Sequence, residues 1–313
     1  MSAVARDSDD STSQIKVVTL NAMCASLTHQ GVLRPARARK VRRRIRSMLQ
    51  RVGLQYPDVV MLQEVSHSAV VEELQRWASR NNMRCVASQH LPLHDADGRE
   101  LKIGPLSRML DLAILVSERF RPAGPPQSRM WHKLAGCFGA SLAVPVWKPK
   151  QRAARTGYKK RKIVLETVHC LPPVQVVEAW SRQQPFGSVV RVVAPMIGAV
   201  RSSALKTMVA DRLEWCASAR PHPAAYVLAG DFNLQQAELD GELRAASKNL
   251  LKRVASSVRS DDCNFAVDHV VVNHFCTRRD NSLVRGARSN YQLDFVKPGL
   301  SDHHALACSI ACA

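Results

Sequence analysis

Aromatic residues make up only 5% of the 313 positions, so the chain has no conspicuous set of stacking platforms for unpaired bases. Its nine cysteines contain no Cys-x-x-Cys pair and no Cys/His spacing of the zinc type, which argues against a soft-metal or dithiol centre and for reduced, structural thiols. No glycine-rich phosphate loop and no internal repeat occurs, which disfavours a P-loop nucleotide site and a solenoid. No run of about 18 apolar residues could span a bilayer, and no basic segment followed by an apolar stretch opens the chain. The expectation is an intracellular protein of the cytosol or nucleus with no integral membrane segment.

Acidic residues are scarce in two places, and there the charge collects. Lys plus Arg number 45 against 26 Asp plus Glu, a formal net charge of +19. The stretches 34–46 (RPARARKVRRRIR) and 148–162 (KPKQRAARTGYKKRK) contain no acid at all. Clustered positive charge favours a polyanion, either a nucleic acid or an anionic lipid surface, largely through counterion release. Solvated helix faces, or an import signal, are the plainer readings of the same runs. Lys159, Lys160, Arg161 and Lys162 are the basic candidates for substrate binding in the second run.

The 46% hydrophobic content supports a large core. Residues 1–13, rich in Ser and Asp, read as a flexible tail, and 14–313 as one domain. IKVVTL, DVVMLQ, LDLAILV, SLAVPVW, KIVLETV, AYVLAG, FAVDHVVV and HALACSIA read as strands. Between the first two strands, Val41, Ile45, Met48, Leu49 and Val52 fall at helical spacing, and residues around Leu205–Cys216 do the same. A further helix is expected through Leu239, Leu243, Leu250, Leu251 and Val254, and Arg278, Arg279, Arg285 and Arg288 are expected on a loop. SLAVPVW and KIVLETV flank the second basic run, which predicts a hairpin with a long tip.

Polar residues stand where these strands end: Asn21 in TLNAM, Glu64 in LQEV, Asp231 and Asn233 in AGDFNL, Asp268 in VDHVV, and Asp302 and His303 in SDHHAL. Acids and an amide are the hard oxygen ligands that magnesium prefers, and that ion retains waters and accepts a substrate phosphate. Phosphodiester hydrolysis needs this combination of charge neutralisation, an aligned water and a proton donor for the departing oxygen. A His-Asp pair keeps an imidazole oriented and favours its charged form beside a phosphate. Gly230 before Asp231 is read as part of a tight turn that exposes the carboxylate.

With LQEV, GDFN, the later VDH and the C-terminal SDH in that order, the chain resembles the endonuclease/exonuclease/phosphatase superfamily, the fold of pancreatic deoxyribonuclease. The resemblance implies an α/β fold: a four-layer α/β sandwich, two mixed β-sheets packed face to face with helices outside. It implies a magnesium-dependent phosphodiesterase, with manganese as the alternative ion, and a nuclease or nucleic-acid-end-processing hydrolase as the foremost reading. Glu64 is then the principal metal ligand, with Asn21 and Asp302 beside it. Asp231 orients or deprotonates water, Asn233 holds that water or a phosphate oxygen, and His303 donates to the phosphate, positioned by Asp268 or by Asp294. His169 matches the histidine after the central strand, with His132 and His222 as other unassigned histidines.

Departures narrow the branch. Met23 stands where some repair endonucleases carry another polar ligand, and the motifs of abasic-site endonucleases and inositol-polyphosphate phosphatases are missing. Two alternatives remain: a lipid phosphodiesterase similar to neutral sphingomyelinases, whose opening strand and Arg-rich helix look alike, and a catalytically inactive polyanion-binding module.

Overall fold

A computed structural model describes residues 14–22, 35–65, 68–101, 112–134, 137–149, 161–170, 196–256, 268–288 and 304–312. Its strands are β1 (Gln14–Asn21), β2 (Val59–Gln63), β3 (Met83–Ala87), β4 (Leu93–His94), β5 (Ala113–Ser117), β6 (Arg121–Pro122) and β7 (Gln127–Leu134). They continue as β8 (Cys137–Trp147), β9 (Lys162–His169), β10 (Ala225–Asp231), β11 (Leu251–Ser256), β12 (Asp268–Asn273), β13 (Cys276–Arg288) and β14 (His304–Cys312). The helices are α1 (Pro35–Gly53), α2 (Ser68–Arg80), α3 (Ile197–Ser218) and α4 (Gln236–Ser247).

Alternation along the strands generates the layers. Val17, Val59, Met61 and Ile114 of a six-stranded sheet, ordered β13-β14-β1-β2-β5-β3, point inward. They meet Leu142, Val144, Leu165, Val227 and Val270 of an eight-stranded sheet, ordered β11-β12-β10-β9-β8-β7-β4 with β6 beside β8. The intervening positions face outward: Val18, Leu20, Val60 and Leu62 pack under Val41, Ile45 and Leu49 of α1 and Val70 and Leu74 of α2. On the other side Val164, Tyr226, Leu228 and Val271 lie against Leu205, Met208 and Val209 of α3 and Leu239 and Leu243 of α4. Each buried aliphatic side chain contributes about 1.5–3 kcal/mol, so neither sheet would be stable bare. The result is the expected α/β/β/α sandwich. Both sheets are mixed: β1 with β2 and β9 with β10 run parallel, while β1 with β14 and β10 with β12 run antiparallel.

Pro35 opens α1 at the position where a missing N–H costs nothing, and every residue of the predicted apolar stripe from Val41 to Val52 is buried. Two expectations are corrected. The helix predicted through Val254 ends at Ser247, because Lys248 and Asn249 adopt left-handed φ of 49° and 67°, and Leu251–Ser256 pairs with β12 as a strand. Leu250, placed on the apolar stripe by spacing, is exposed. Arg278, Arg279, Arg285 and Arg288 lie in strand β13 rather than a loop, because that segment pairs antiparallel with β14. Strand β7, with its polar QSRMWHKL, was not anticipated; pairing with β8 and burial of Met130 and Trp131 carry it. The six described cysteines are free thiols. Among the described residues no helix is long and apolar enough to cross a membrane. Residues 1–13 fall outside the described set.

Candidate active site

The strands that carry the motifs end at one rim of the sandwich. Strand β1 delivers Asn21 and the parallel β2 delivers Gln63 beside it, with the Ala22 N–H donating to the Gln63 carbonyl at 2.9 Å. In the facing sheet, parallel β9 and β10 bring His169 opposite Asp231, and antiparallel β12 sets Asp268 opposite Asp231 on its other side. Parity places these side chains on the inner face. Val17, Thr19 and Asn21 share it, as do Leu165, Thr167 and His169, and Val227, Ala229 and Asp231, so the core turns from apolar to polar as each strand nears the rim.

The centre is an amide between two acids. Asn21 Nδ2 donates to Glu64 Oε1 at 2.9 Å and to Asp231 Oδ2 at 3.1 Å. His169 Nε2 lies 3.6 Å from Glu64 Oε1 and 3.8 Å from Asp231 Oδ2. The Asp231 side chain is only 2% exposed while that of Glu64 is 20% exposed, so the open side of the cluster is Glu64. Asn233 donates its backbone N–H to Asp231 Oδ1 at 2.9 Å and its Nδ2 to the Cys170 carbonyl at 3.0 Å. The Cys170 thiol, pushed up to about 12 by burial, remains protonated.

Backbone strain collects here. Glu64 and Asn233 hold left-handed φ of 56° and 50°, a conformation rare for a glutamate, and each occurs where the chain leaves a strand at the rim. Gly230 explains the glycine of GDFN differently from the expected turn: it lies inside β10, not in a turn. A Cβ there would lie 2.1 Å from the Val168 carbonyl oxygen, and φ is 149°. Glycine is needed because β9 passes too close for any side chain. The neighbouring carboxylate is correspondingly buried rather than exposed.

Three residues support the cluster: Gln63 and Arg201, which the sequence does not single out, and His269, which the sequence reading leaves as a neighbour packed or solvated beside the site. Gln63 Nε2 bridges the two sheets, donating to Thr19 Oγ1 at 3.2 Å and Thr167 Oγ1 at 2.6 Å. Its signal was visible: a glutamine at an inner-face position of an apolar strand requires a polar partner. Arg201 of α3 donates to the Asn233 carbonyl at 2.9 Å and to Glu238 Oε1 at 2.7 Å, anchoring the 231–234 loop from the helical layer. His269 sits behind the same loop, with Nε2 2.9 Å from the Leu234 carbonyl and Nδ1 2.8 Å from Ser256 Oγ. Burial lowers its pKa to about 4, so it is neutral, donating through Nε2–H and accepting at Nδ1.

Asn21, Glu64, His169, Asp231 and Asn233 are therefore brought together, and Asp268 is buried beside Asp231. Asp302, His303, Asp294, Lys159 and Lys160 lie outside the described residues, although β14 begins at His304 on the same rim. Arg161 and Lys162 are not brought to this cluster. Lys162 starts β9 and His169 ends it, a separation of about 23 Å by the rise of a strand. At that far end Lys162 Nζ lies 5.5 Å from the Trp215 ring centroid and Arg161 Cζ 4.8 Å from that of Phe275.

Among the described residues no three His, Cys, Asp or Glu side chains form a cage that encloses a metal. The donors present are nevertheless hard oxygens around a partly open glutamate, which fits an ion that needs one or two carboxylates and otherwise keeps water. Glu64 and Asn21 are the described residues that could hold such an ion.

Comparison with known proteins identifies the family and the fold. Residues 18–303 match the model of the Endonuclease/Exonuclease/phosphatase family. The human Nocturnin catalytic domain with bound sulfate is 15% identical with a TM-score of 0.58, covering 96% of this chain and 95% of that one. TDP2 from D. rerio, complexed with a single-strand DNA product, is 15% identical with a TM-score of 0.52, covering 95% and 99%. A functionally unknown conserved protein from Enterococcus faecalis is 14% identical with a TM-score of 0.55, covering 96% and 100%. No curated protein sequence matches. On the family match over nine-tenths of its length, the chain belongs to the Endonuclease/Exonuclease/phosphatase family.

Proposed function

We propose that this chain is a magnesium-dependent phosphodiesterase that acts on nucleic acid, as a nuclease or an end-processing hydrolase. Members of its family generally hydrolyse phosphoester bonds and typically use a divalent metal. The observation that carries the reading is the Asn21 amide held between the Glu64 and Asp231 carboxylates, with His169 at 3.6 and 3.8 Å from the same two groups.

A magnesium ion held by Glu64, with Asn21 and Asp302 as neighbouring ligands, would supply charge neutralisation at the phosphoryl oxygens. Asp231, already fixed by two donors, accepts the proton of the attacking water at its carboxylate. Asn233 is locked by the Cys170 carbonyl and aligns the water or a phosphate oxygen. His169 presents Nε2 toward the carboxylates and, when protonated, stabilises negative charge at the phosphate. We assign to His303, with Asp268 as its positioning acid, the donation to the scissile phosphate.

The nucleic-acid choice rests on the +19 charge and on the solved single-strand DNA product complex of a protein with the same fold. An inactive module is disfavoured, since burying Asp231 and Asp268 side by side costs free energy that a mere scaffold has no reason to retain. The test is hydrolysis of single- and double-stranded DNA and RNA oligonucleotides by purified protein with magnesium and with a chelator. Cleavage that needs the metal is expected; a wild-type protein inert on every phosphodiester, metal present, would sink the reading.

A further inference from the structure

Two separate elements carry positive charge to the rim that holds the cluster. The crossover from β1 to the parallel β2 makes α1 run back from the Asn21 rim. Gly53, at its far end, lies against Trp77 near the end of α2, and Arg46 is level with Glu73. The turns before Arg46 therefore extend toward the rim, and they belong to the acid-free stretch 34–46 with eight basic residues. Strand β13, on which α1 packs, pairs antiparallel with β14 and ends with Arg288 opposite His304. Arg285 and Arg288 thus occupy the same end of the sandwich.

Two pairs of α1 arginines differ in what they meet. Arg42 and Arg46 are engaged by α2, with nitrogen–oxygen distances of 3.0 Å to Glu72 and 2.5 Å to Glu73. Arg39 and Arg43 are exposed, one turn apart on one face, with no ion pair among the described residues. The apolar face of α1 is consumed by the six-stranded sheet, so the helix has no apolar side to insert among lipid tails as an interfacial helix must. Charge alone remains as the means of recognition, which suits a chain of phosphates.

We propose that the exposed face of α1 that carries Arg39 and Arg43, beside the end of β13, forms the track along which a nucleic-acid backbone approaches the Glu64–Asp231 cluster. Arg161 and Lys162 of the second basic run stand at the opposite rim and are not part of this track. This inference rests on the nucleic-acid reading above and deepens it.

The experiment measures binding of a short fluorescent single-stranded DNA over a range of salt concentrations, in an Asp231→Asn background so that the probe is not consumed. Adding Arg39→Gln with Arg43→Gln should weaken binding at low salt by roughly tenfold or more and reduce the salt slope by about 1.4, two phosphates' worth. Arg161→Gln with Lys162→Gln should leave the slope unchanged. Both target arginines of α1 are exposed and glutamine is a good helix former, so the melting midpoint should stay in place; Arg43→Gln alone, with about half the slope change, serves if it does not. Unaltered affinity and slope, equal losses in the Arg161/Lys162 variant, no oligonucleotide binding, or an Arg39/Arg43-dependent affinity for phosphatidylserine vesicles only would each overturn the track. Failure of wild-type hydrolysis with Arg39/Arg43-dependent binding intact would instead reject the enzymatic reading and leave the surface standing.

Discussion

Two of the centres at which the molecule buries carboxylates differ in how their charge is met. Under the eight-stranded sheet, Glu166 receives Arg212 Nε at 2.9 and 3.0 Å and the Tyr226 hydroxyl at 2.6 Å. Arg212 also donates to Gln127 and Asp211, and its guanidinium lies 5.2 and 5.0 Å from the Trp131 and Trp215 rings. Burial, aided by the Glu166 charge, pushes the Tyr226 phenol well above its usual value, so it remains a donor. At the rim, Asp231 and Glu64 instead share a neutral amide, and the cation-capable group beside them among the described residues is the titratable His169. Full compensation by a permanent cation makes a strut. The rim centre opens toward solvent through Glu64, where the proposed metal and phosphate would add their charge.

The sharpest way to break this contrast is to delete one partner on each side. Arg212→Met should cost about 3–5 kcal/mol in urea unfolding, because Glu166 is left charged and buried, while the protein that remains folded keeps its turnover. Asp231→Asn should do the reverse: turnover falls on the order of a hundredfold or more, with the melting midpoint unchanged or raised. If both variants lose stability and activity together, the distinction between strut and site fails.

A pH experiment isolates the support behind the site. His269 is held neutral with a folded pKa of about 4 against an ordinary value near 6.5, so the unfolded chain takes up the proton first. Its contribution to stability is full above about pH 6.5 and is lost as pH falls toward 4. Between pH 7 and pH 5 this amounts to about 2 kcal/mol, and His269→Gln should flatten that limb of the urea-unfolding profile. The smallest effect is expected between α1 and α2, where Arg46→Gln should leave the unfolding midpoint nearly unmoved, since the Arg46 side chain is itself half-exposed and the buried Glu73 keeps Arg76 at 2.7 Å. A large drop would mean that α1 and α2 are coupled more like the buried centre.

Much of the architecture was legible because burial writes a period into sequence. Strands such as VVMLQ and AYVLAGD announce themselves as apolar runs, and the α1 stripe from Val41 to Val52 survives even among eight arginines and lysines. The failures have physical causes. Leu250 and Leu251 continued the spacing of α4, but two consecutive left-handed residues turned the chain, a local conformation that hydrophobic spacing does not encode. The arginines of β13 hid a strand because charge density in sequence reads as loop, whereas edge strands such as β13 tolerate charged residues. Gly230 was read as a turn glycine because sequence reports a permissive backbone without saying what presses against it; the answer, Val168, is 62 residues away.

By itself the sequence determined which residue types stand at which strand ends, and their inner-face parity, since both follow from local hydrophobic alternation. The tertiary structure alone decided their meeting. Asn21 reaches Glu64 across 43 residues and Asp231 across 210, through two parallel strand pairs whose sheets face each other. It also set the described parts of the two basic runs at different ends of the sandwich, because one leaves the site rim through α1 while Lys148, Arg161 and Lys162 of the other stand at the far end of β8 and β9. Distance between charges is a property of strand direction and pairing, and neither is carried by any single segment.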